Sequence, residues 1–289
     1  MFHIVTTYYE CDNKERQKEI DKCLLLNSEN ADIKTIHLLN DRVYSLQFMT
    51  HRHKIVQIVV DEKNKSRLGF DYAIRYVNES LPNEKFIITN SDIYFDQTLH
   101  QLVDYDFTST VMALSRYDNG VLFNRNDSQD SWLGLSPLRV DLELCNFKFG
   151  TLGCDNRIAW IIKHAGYDVI NPCKTVHSHH LHSSNVRTYS GADTVKGEYF
   201  YPDPCELRAS FARTILGSVA GAVKGEYFSR TSEAVIVTPS PNSDAAAGWV
   251  VFIVAMGSVV VVAGIALGIY FGIVKKKGKR NSMATAKLK

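Results

Sequence analysis

The run Lys85-Phe86-Ile87-Ile88-Thr89-Asn90-Ser91-Asp92-Ile93-Tyr94-Phe95-Asp96 puts an apolar, strand-like segment directly before two carboxylates. Open α/β sheets bind ligands at the carboxyl ends of their strands. Acids there can hold a divalent cation, and such a cation can hold a diphosphate. Asp92 is therefore a candidate metal ligand. Asp96 suits the cap of a helix over 97–103. The simpler alternative for both is a solvated turn.

Three further groups carry chemistry. In Ser128-Gln129-Asp130-Ser131-Trp132, an acid beside an indole suits a sugar. The ring stacks on C–H faces while Asp130 accepts hydroxyl hydrogen bonds. A surface loop with one buried aromatic is the competing reading. In Gly153-Cys154-Asp155-Asn156-Arg157, Asp155 falls where an N-cap or first-turn acid belongs. The same carboxylate could act as a general base toward an acceptor hydroxyl. The third group is His177-Ser178-His179-His180-Leu181-His182, followed by Arg187 and Tyr189. Its spacing is not that of a helical zinc pair. It reads as a polar loop from which one or two imidazoles could return to the Asp92 cation.

The elements that must position these groups alternate. Strands are expected over 2–9, 33–39, 54–60, 85–93, 109–114 and 168–171. Helices are expected over 13–27, 68–77, 156–164 and 206–223. Strands separated by helices predict an α/β fold with a mostly parallel sheet covered on both faces. The sequence Val-Lys-Gly-Glu-Tyr-Phe occurs at 195–200 and again at 223–228. Two copies do not make a solenoid.

The chain of 289 residues has a net charge of only +2, so charge makes no broad case for nucleic acid as a partner. Its six cysteines show no CxxC or zinc spacing; their even number allows disulfides, and scattered buried thiols are the simpler reading. From 245 to 274 no charged residue occurs. A helix needs about 20 apolar residues to cross a bilayer. Trp249 and Tyr270 would stand roughly 32 Å apart, at the two interfacial belts. A single transmembrane helix over 248–274 is expected, after a Pro-containing linker over 238–247 and before a basic tail over 275–289. Gly264, Gly268 and Gly272 share one face of that helix and would allow a homodimer. The basic tail favours a cytoplasmic C-terminus. The N-terminal segment, with no basic or apolar leader pattern, instead favours a cytosolic domain on a tail anchor. The sidedness stays open. Sequons at Asn64, Asn78 and Asn126 would matter only in a secretory lumen.

Taken in order, the pieces form a pattern. Thr6-Thr7-Tyr8-Tyr9 ends the first strand, and Arg16 and Glu19 follow on a helix. Then come Asn90 to Asp96, Leu114-Ser115-Arg116-Tyr117, Ser128 to Asp130, Gly153 to Arg157, and His180, His182, Ser184, Arg187 and Tyr189. Residues 1–190 resemble glycosyltransferases of the GT-A fold, the nucleotide-diphospho-sugar transferases. The resemblance implies transfer of a sugar from a nucleotide-sugar donor to a hydroxyl on a glycan, glycolipid or glycoprotein near a membrane. It also implies a Mn2+ or Mg2+ ion. Asp92 resembles the last aspartate of the family's DxD motif, although the first acid is replaced here by Asn90. His180 or His182 matches the C-terminal histidine of the metal shell. Asp155, with Asp130, lies near the family's catalytic acids. Thr6, Tyr8, Arg16, Asn90 and Arg187 fall where the nucleotide-sugar should lie, and Trp132 falls by the sugar. Two other functions compete: a non-catalytic membrane protein that binds a glycan or partner on the same domain, and a sugar nucleotidyltransferase.

Overall fold

Several strands of this chain are apolar at successive positions, so they must be covered on both faces. In the computed structural model, which describes residues 1–184 and 194–207, that is how they lie. The strands are β1 (Phe2–Thr6), β2 (Ile33–Asn40), β3 (Ile55–Val59), β4 (Lys85–Thr89), β5 (Ile93–Phe95), β6 (Thr110–Leu114), β7 (Tyr117–Asp118), β8 (Val121–Leu122), β9 (Ser131–Leu135), β10 (Asp168–Ile170) and β11 (Ser178–His180). The helices are α1 (Lys14–Glu29), α2 (Glu62–Lys65), α3 (Phe70–Ser80) and α4 (Cys154–His164).

Seven strands form the main sheet in the order β10-β6-β9-β4-β1-β2-β3. Four of its neighbouring pairs are parallel, and β9 runs antiparallel to both β4 and β6. The expected mixed α/β architecture with a mostly parallel sheet is present. Side chains alternate across a strand, and the core divides accordingly. Val5, Phe86 and Ile88 join Phe70, Trp132 and Ile158 on the face of α3 and α4. Ile4 and Ile87 join Ile20, Leu24 and Phe107 on the face of α1. Residues 194–207 add to the first face through Val195 and Phe200, and Phe200 donates its N–H to the Asn156 carbonyl.

Two local expectations change. The segment 85–93 is not one strand. Asn90 donates its N–H to the Asp130 carbonyl, and Ile93 donates back to the Asn90 carbonyl. The chain therefore turns after Thr89, and β5 enters a second sheet ordered β5-β11-β7-β8. The histidine run is not a loop. Its centre is β11, paired antiparallel with β5 and parallel with β7.

Helix starts follow capping rules. Asn13 caps α1 by accepting from the Arg16 N–H, and Asp96 accepts from the Thr98 N–H at a 3-10 turn over Gln97–Leu102. α4 instead begins after Gly153, at φ 80°, so Asp155 is a first-turn acid rather than the cap. All three sequon asparagines have bonded side-chain amides; that of Asn126 donates to Asp203 at 2.6 Å. Asn64 is buried, with its amide bonded to Asp61 and Gly69, and the Asn78 amide both donates to and accepts from Leu138. A glycan on either would break those bonds. All six cysteines are free thiols, four of them buried. Among the described residues no helix is long and apolar enough to cross a membrane. Arg187, Tyr189, the expected helix over 206–223 beyond 207, the second Val-Lys-Gly-Glu-Tyr-Phe copy, the apolar run 248–274 and its glycines lie outside the described residues.

Candidate functional site

After β1 the chain leaves to one side through α1 to β2, while β4 lies on β1's other side. This is the topological switch point at which open sheets bind ligands. A cleft of about 870 Å³ opens there. The residues just after β1, the end of β4, the first turn of α1, the end of β11 and the first turn of α4 all reach it.

Asp92 stands in this cleft only 6 % exposed. Its Oδ2 lies 2.6 Å from Arg16 Nη2, 3.1 Å from His180 Nε2 and 3.4 Å from His182 Nδ1. Burial alone would raise the Asp92 carboxyl. The hydrogen bond from His180 and the charge of Arg16 hold it well below the usual carboxylate range, while His182 Nδ1 accepts from Arg16 Nη1 at 2.7 Å. Burial would lower His180, but its bond to Asp92 raises it overall. The two imidazoles stack nearly parallel, with centroids 5.1 Å apart. They are i and i+2 along an extended segment, so both point to one side. Leu181 between them donates its N–H to the Asp92 carbonyl at 2.9 Å. Glu19, one turn along α1 from Arg16, accepts 2.8 Å bonds from the Ser184 N–H and hydroxyl. That contact ties the chain after β11 to α1.

The donor atoms of Asp92, His180 and His182 lie within 4.8 Å of one another. One carboxylate oxygen with two imidazole nitrogens fits a Mn2+-class cation better than Mg2+, which prefers oxygen and water. The Arg16 guanidinium already occupies the same carboxylate oxygen.

The opposite wall is built from β6, β9 and α4. Arg116 Nη1 donates to Asp130 Oδ2 at 2.7 Å and to the Ser128 hydroxyl at 2.9 Å, and its Nε donates to Asp118 Oδ1 at 3.1 Å. Asp118 in turn holds His180 Nδ1 at 2.7 Å. Asn90 Nδ2 donates to Asp130 Oδ1 at 2.9 Å. Both oxygens of Asp130 are thereby engaged. Asp155 lies close by, with its Oδ2 3.5 Å from the Ser128 hydroxyl. Burial, and then the neighbouring charge of Asp130, push the Asp155 carboxyl up to about 7. A polar chain thus runs from Asp155 through Ser128, Arg116, Asp118 and His180 to Asp92 and Arg16.

The sequence candidates divide. Asp92, His180, His182, Arg16, Asn90, Asp130 and Asp155 converge on one cleft, and Tyr8 lines its wall. The Tyr8 hydroxyl is committed to Asp21 at 2.8 Å, and its ring packs edge-on against Tyr44. Thr6 is buried at the end of β1 and does not line the cleft; Thr7 does. Trp132 is the larger correction. It is 2 % exposed, with its ring packed edge-on against Phe70 at 4.9 Å, and it belongs to the core. Successive residues of β9 face opposite ways, and Trp132 points into the face covered by α3 and α4. Sequence reasoning misses Asp118 and meets Arg116 only within a motif. The available signal is Arg-x-Asp just beyond a buried strand, where a buried guanidinium needs an acid.

No protein-family model matches the sequence, and no curated protein matches it. Among solved structures the chain is similar to S. aureus TarS 1-349, with 11% identity, a TM-score of 0.36, and coverage of 65% of this chain and 60% of that one. For TarS 1-349 in complex with UDP-GlcNAc the values are 15%, 0.38, 68% and 59%. For the apo-form glycosyltransferase GlyE of Streptococcus pneumoniae TIGR4 they are 14%, 0.35, 58% and 44%. The chain therefore spans 44% to 60% of the length of these neighbours. With every TM-score below 0.5, what the protein does has to be argued from the cleft itself.

Proposed function

We propose that this cleft transfers a sugar from a nucleotide-sugar to a hydroxyl acceptor. One observation carries the reading. A cationic and imidazole cluster at the switch point, suited to a diphosphate, faces a carboxyl poised near neutral pH across the same cleft. As the glycosidic bond breaks, its electron pair passes to the leaving diphosphate, and negative charge grows there. Arg16 and Arg116, held by buried ion pairs, are the cations of the lining proposed to meet that charge, beside Lys65, Arg67 and Arg125. Asp92, His180 and His182 would hold Mn2+ or Mg2+, and the bound ion would supply further Lewis-acid stabilisation of the diphosphate. With a cation on Asp92, Arg16 would turn its charge toward the donor.

The acceptor hydroxyl must lose its proton as its oxygen attacks the sugar carbon. Asp155, ionised above about pH 7, is the base in this proposal. Asp130 has both oxygens engaged, so it positions Arg116 and raises Asp155 rather than taking the proton. A single base implies inversion at the sugar carbon. The apolar run 248–274 would hold the cleft beside a bilayer, which favours lipid-linked or glycoprotein acceptors; its glycine face would support a homodimer.

The test is a panel of UDP- and GDP-sugars with the full chain, with and without Mn2+. Release of nucleoside diphosphate by the wild type, and its loss in Asp155→Asn and Asp92→Ala, is expected. Absence of binding to every nucleotide-sugar by calorimetry would refute the proposal. Pyrophosphate release from a nucleoside triphosphate and a sugar phosphate would replace it with nucleotidyl transfer.

A further inference from the structure

The histidine run has a second side. His180 and His182 face the cleft, whereas His177 and His179, displaced by one position along the same extended segment, face away from it toward Asp96. His179 Nε2 lies 2.9 Å from Asp96 Oδ2, and His177 Nδ1 lies 3.5 Å from the same oxygen. The three donor atoms fall within 4.8 Å of one another. We propose that Asp96, His177 and His179 form a second metal site, outside the cleft, for a zinc-class transition-metal ion.

The donor set argues for that class. Two imidazoles and a single carboxylate suit Zn2+, Co2+ or Ni2+, whereas Ca2+ and Mg2+ take mainly oxygens. The spacing agrees. Ligand atoms bound tetrahedrally at about 2.0–2.1 Å stand roughly 3.3 Å apart, and the two nitrogen–oxygen distances bracket that figure. Hydrogen bonding explains only half of the cluster. His179 is within bonding distance of Asp96, but His177 at 3.5 Å is too far for a good hydrogen bond while still aimed at the same oxygen.

Neighbouring groups hold the Asp96 carboxylate and the two rings in place. Asp96 Oδ1 is fixed by the Thr98 N–H at 2.9 Å and by the Thr98 hydroxyl, which leaves Oδ2 for the histidines. Tyr94 stacks on His179 at 4.8 Å and 16°, and Tyr117 packs on His177 at 4.4 Å. The His177 backbone N–H donates to Thr98 Oγ1 at 2.8 Å. The side chains of His177 and Asp96 are 29% and 20% exposed, so an ion could enter from solvent and keep an open fourth position. Such an ion would clamp β11 to the turn after β5. The backbone that carries His180 and His182 would be clamped with it. This inference does not depend on the glycosyl-transfer reading.

The experiment titrates chelator-stripped full-length protein with Zn2+ by calorimetry and with Co2+ by visible absorption. The wild type and two double variants, H177A/H179A and H180A/H182A, are compared. The expected result is that H177A/H179A binds one equivalent of Zn2+ fewer than the wild type and that its four-coordinate Co2+ absorption falls by the contribution of one site. H180A/H182A should keep that contribution. Zn2+ should raise the melting temperature of H180A/H182A, and the Zn2+ shift of H177A/H179A should be smaller than that of the wild type by the contribution of one site. Equal stoichiometry and equal Co2+ spectra in wild type and H177A/H179A would overturn the site, as would an H180A/H182A variant that binds no Zn2+. If H177A/H179A does not fold, D96N replaces it: the oxygen that accepts from Thr98 is retained and the anionic ligand is gone. A Co2+ spectrum unchanged by D96N would equally overturn the proposal.

Discussion

Replacing Asp155 by Asn should make the protein more stable at pH 8 and inactive. The carboxyl titrates near 7 in the folded chain against a reference value of 3.8. The folded state therefore holds this proton more tightly than the unfolded state does. Its favourable contribution is complete below about pH 4, fades as pH rises, and is gone above about pH 7. The ionised group then opposes folding by at most about 4 kcal/mol, from roughly three pH units at 1.36 kcal/mol each. Part of that is offset because the substitution leaves Arg116 with one fewer anion nearby. A gain of about 2 kcal/mol is the working expectation, or roughly 4–8 °C in melting temperature for a domain of this size. The assay is urea unfolding of wild type and D155N at pH 4, 6 and 8. The advantage of D155N should be absent at pH 4 and largest at pH 8. In the same protein, kcat/KM should fall by about 10²–10⁴, and the wild-type profile should rise with pH to a plateau above about 7. A D155N variant less stable than wild type at pH 8, or a stability difference that ignores pH, would refute the reasoning.

Asp92→Ala should destabilise the fold by about 1.5–3 kcal/mol, because it removes the shorter of two carboxylate contacts to the buried Arg16 guanidinium and leaves Glu19 at 3.2 Å; the Asp92 carboxyl is held low, so its contribution is complete above about pH 4 and the loss should persist across pH 5–8 in urea unfolding. R16M combined with D92A should cost less than the sum of the two. His180 is raised on folding, so its contribution is present below about pH 6.5 and disappears as pH climbs through the folded value. Asp118→Asn removes one of the causes, and NMR titration of the metal-free protein should show the His180 imidazole moving down. Gly197 adopts φ 132°, and a Cβ there would stand 2.7 Å from Arg157 Cζ; Gly197→Ala should destabilise by about 1–3 kcal/mol in thermal unfolding.

Much of the candidate site was legible in the chain because its residues sit at element ends. Asp92 follows a run of four apolar or β-branched residues and a short polar turn, and Asp155 opens an amphipathic helix. The alternation of strands and helices was equally plain, since apolar runs broken by helical periodicity dictate a covered sheet. The histidine run was harder. Polar residues at both parities give no burial pattern, so nothing local said that Ser178–His180 pairs as a strand between β5 and β7.

Only the tertiary structure decided which faces meet. Where both faces of a sheet are buried, apolar patterning does not tell which residues point to which side, and the register of β9 against β4 and β6 sent Trp132 into the core. Contact between Arg16 and Asp92 joins residues 76 positions apart, and the polar chain from Asp155 to His180 joins four separate segments. The residue types and their order come from the sequence alone. The raised Asp155 and the lowered Asp92 arise only when folding removes water from both and sets an acid beside one and cations beside the other.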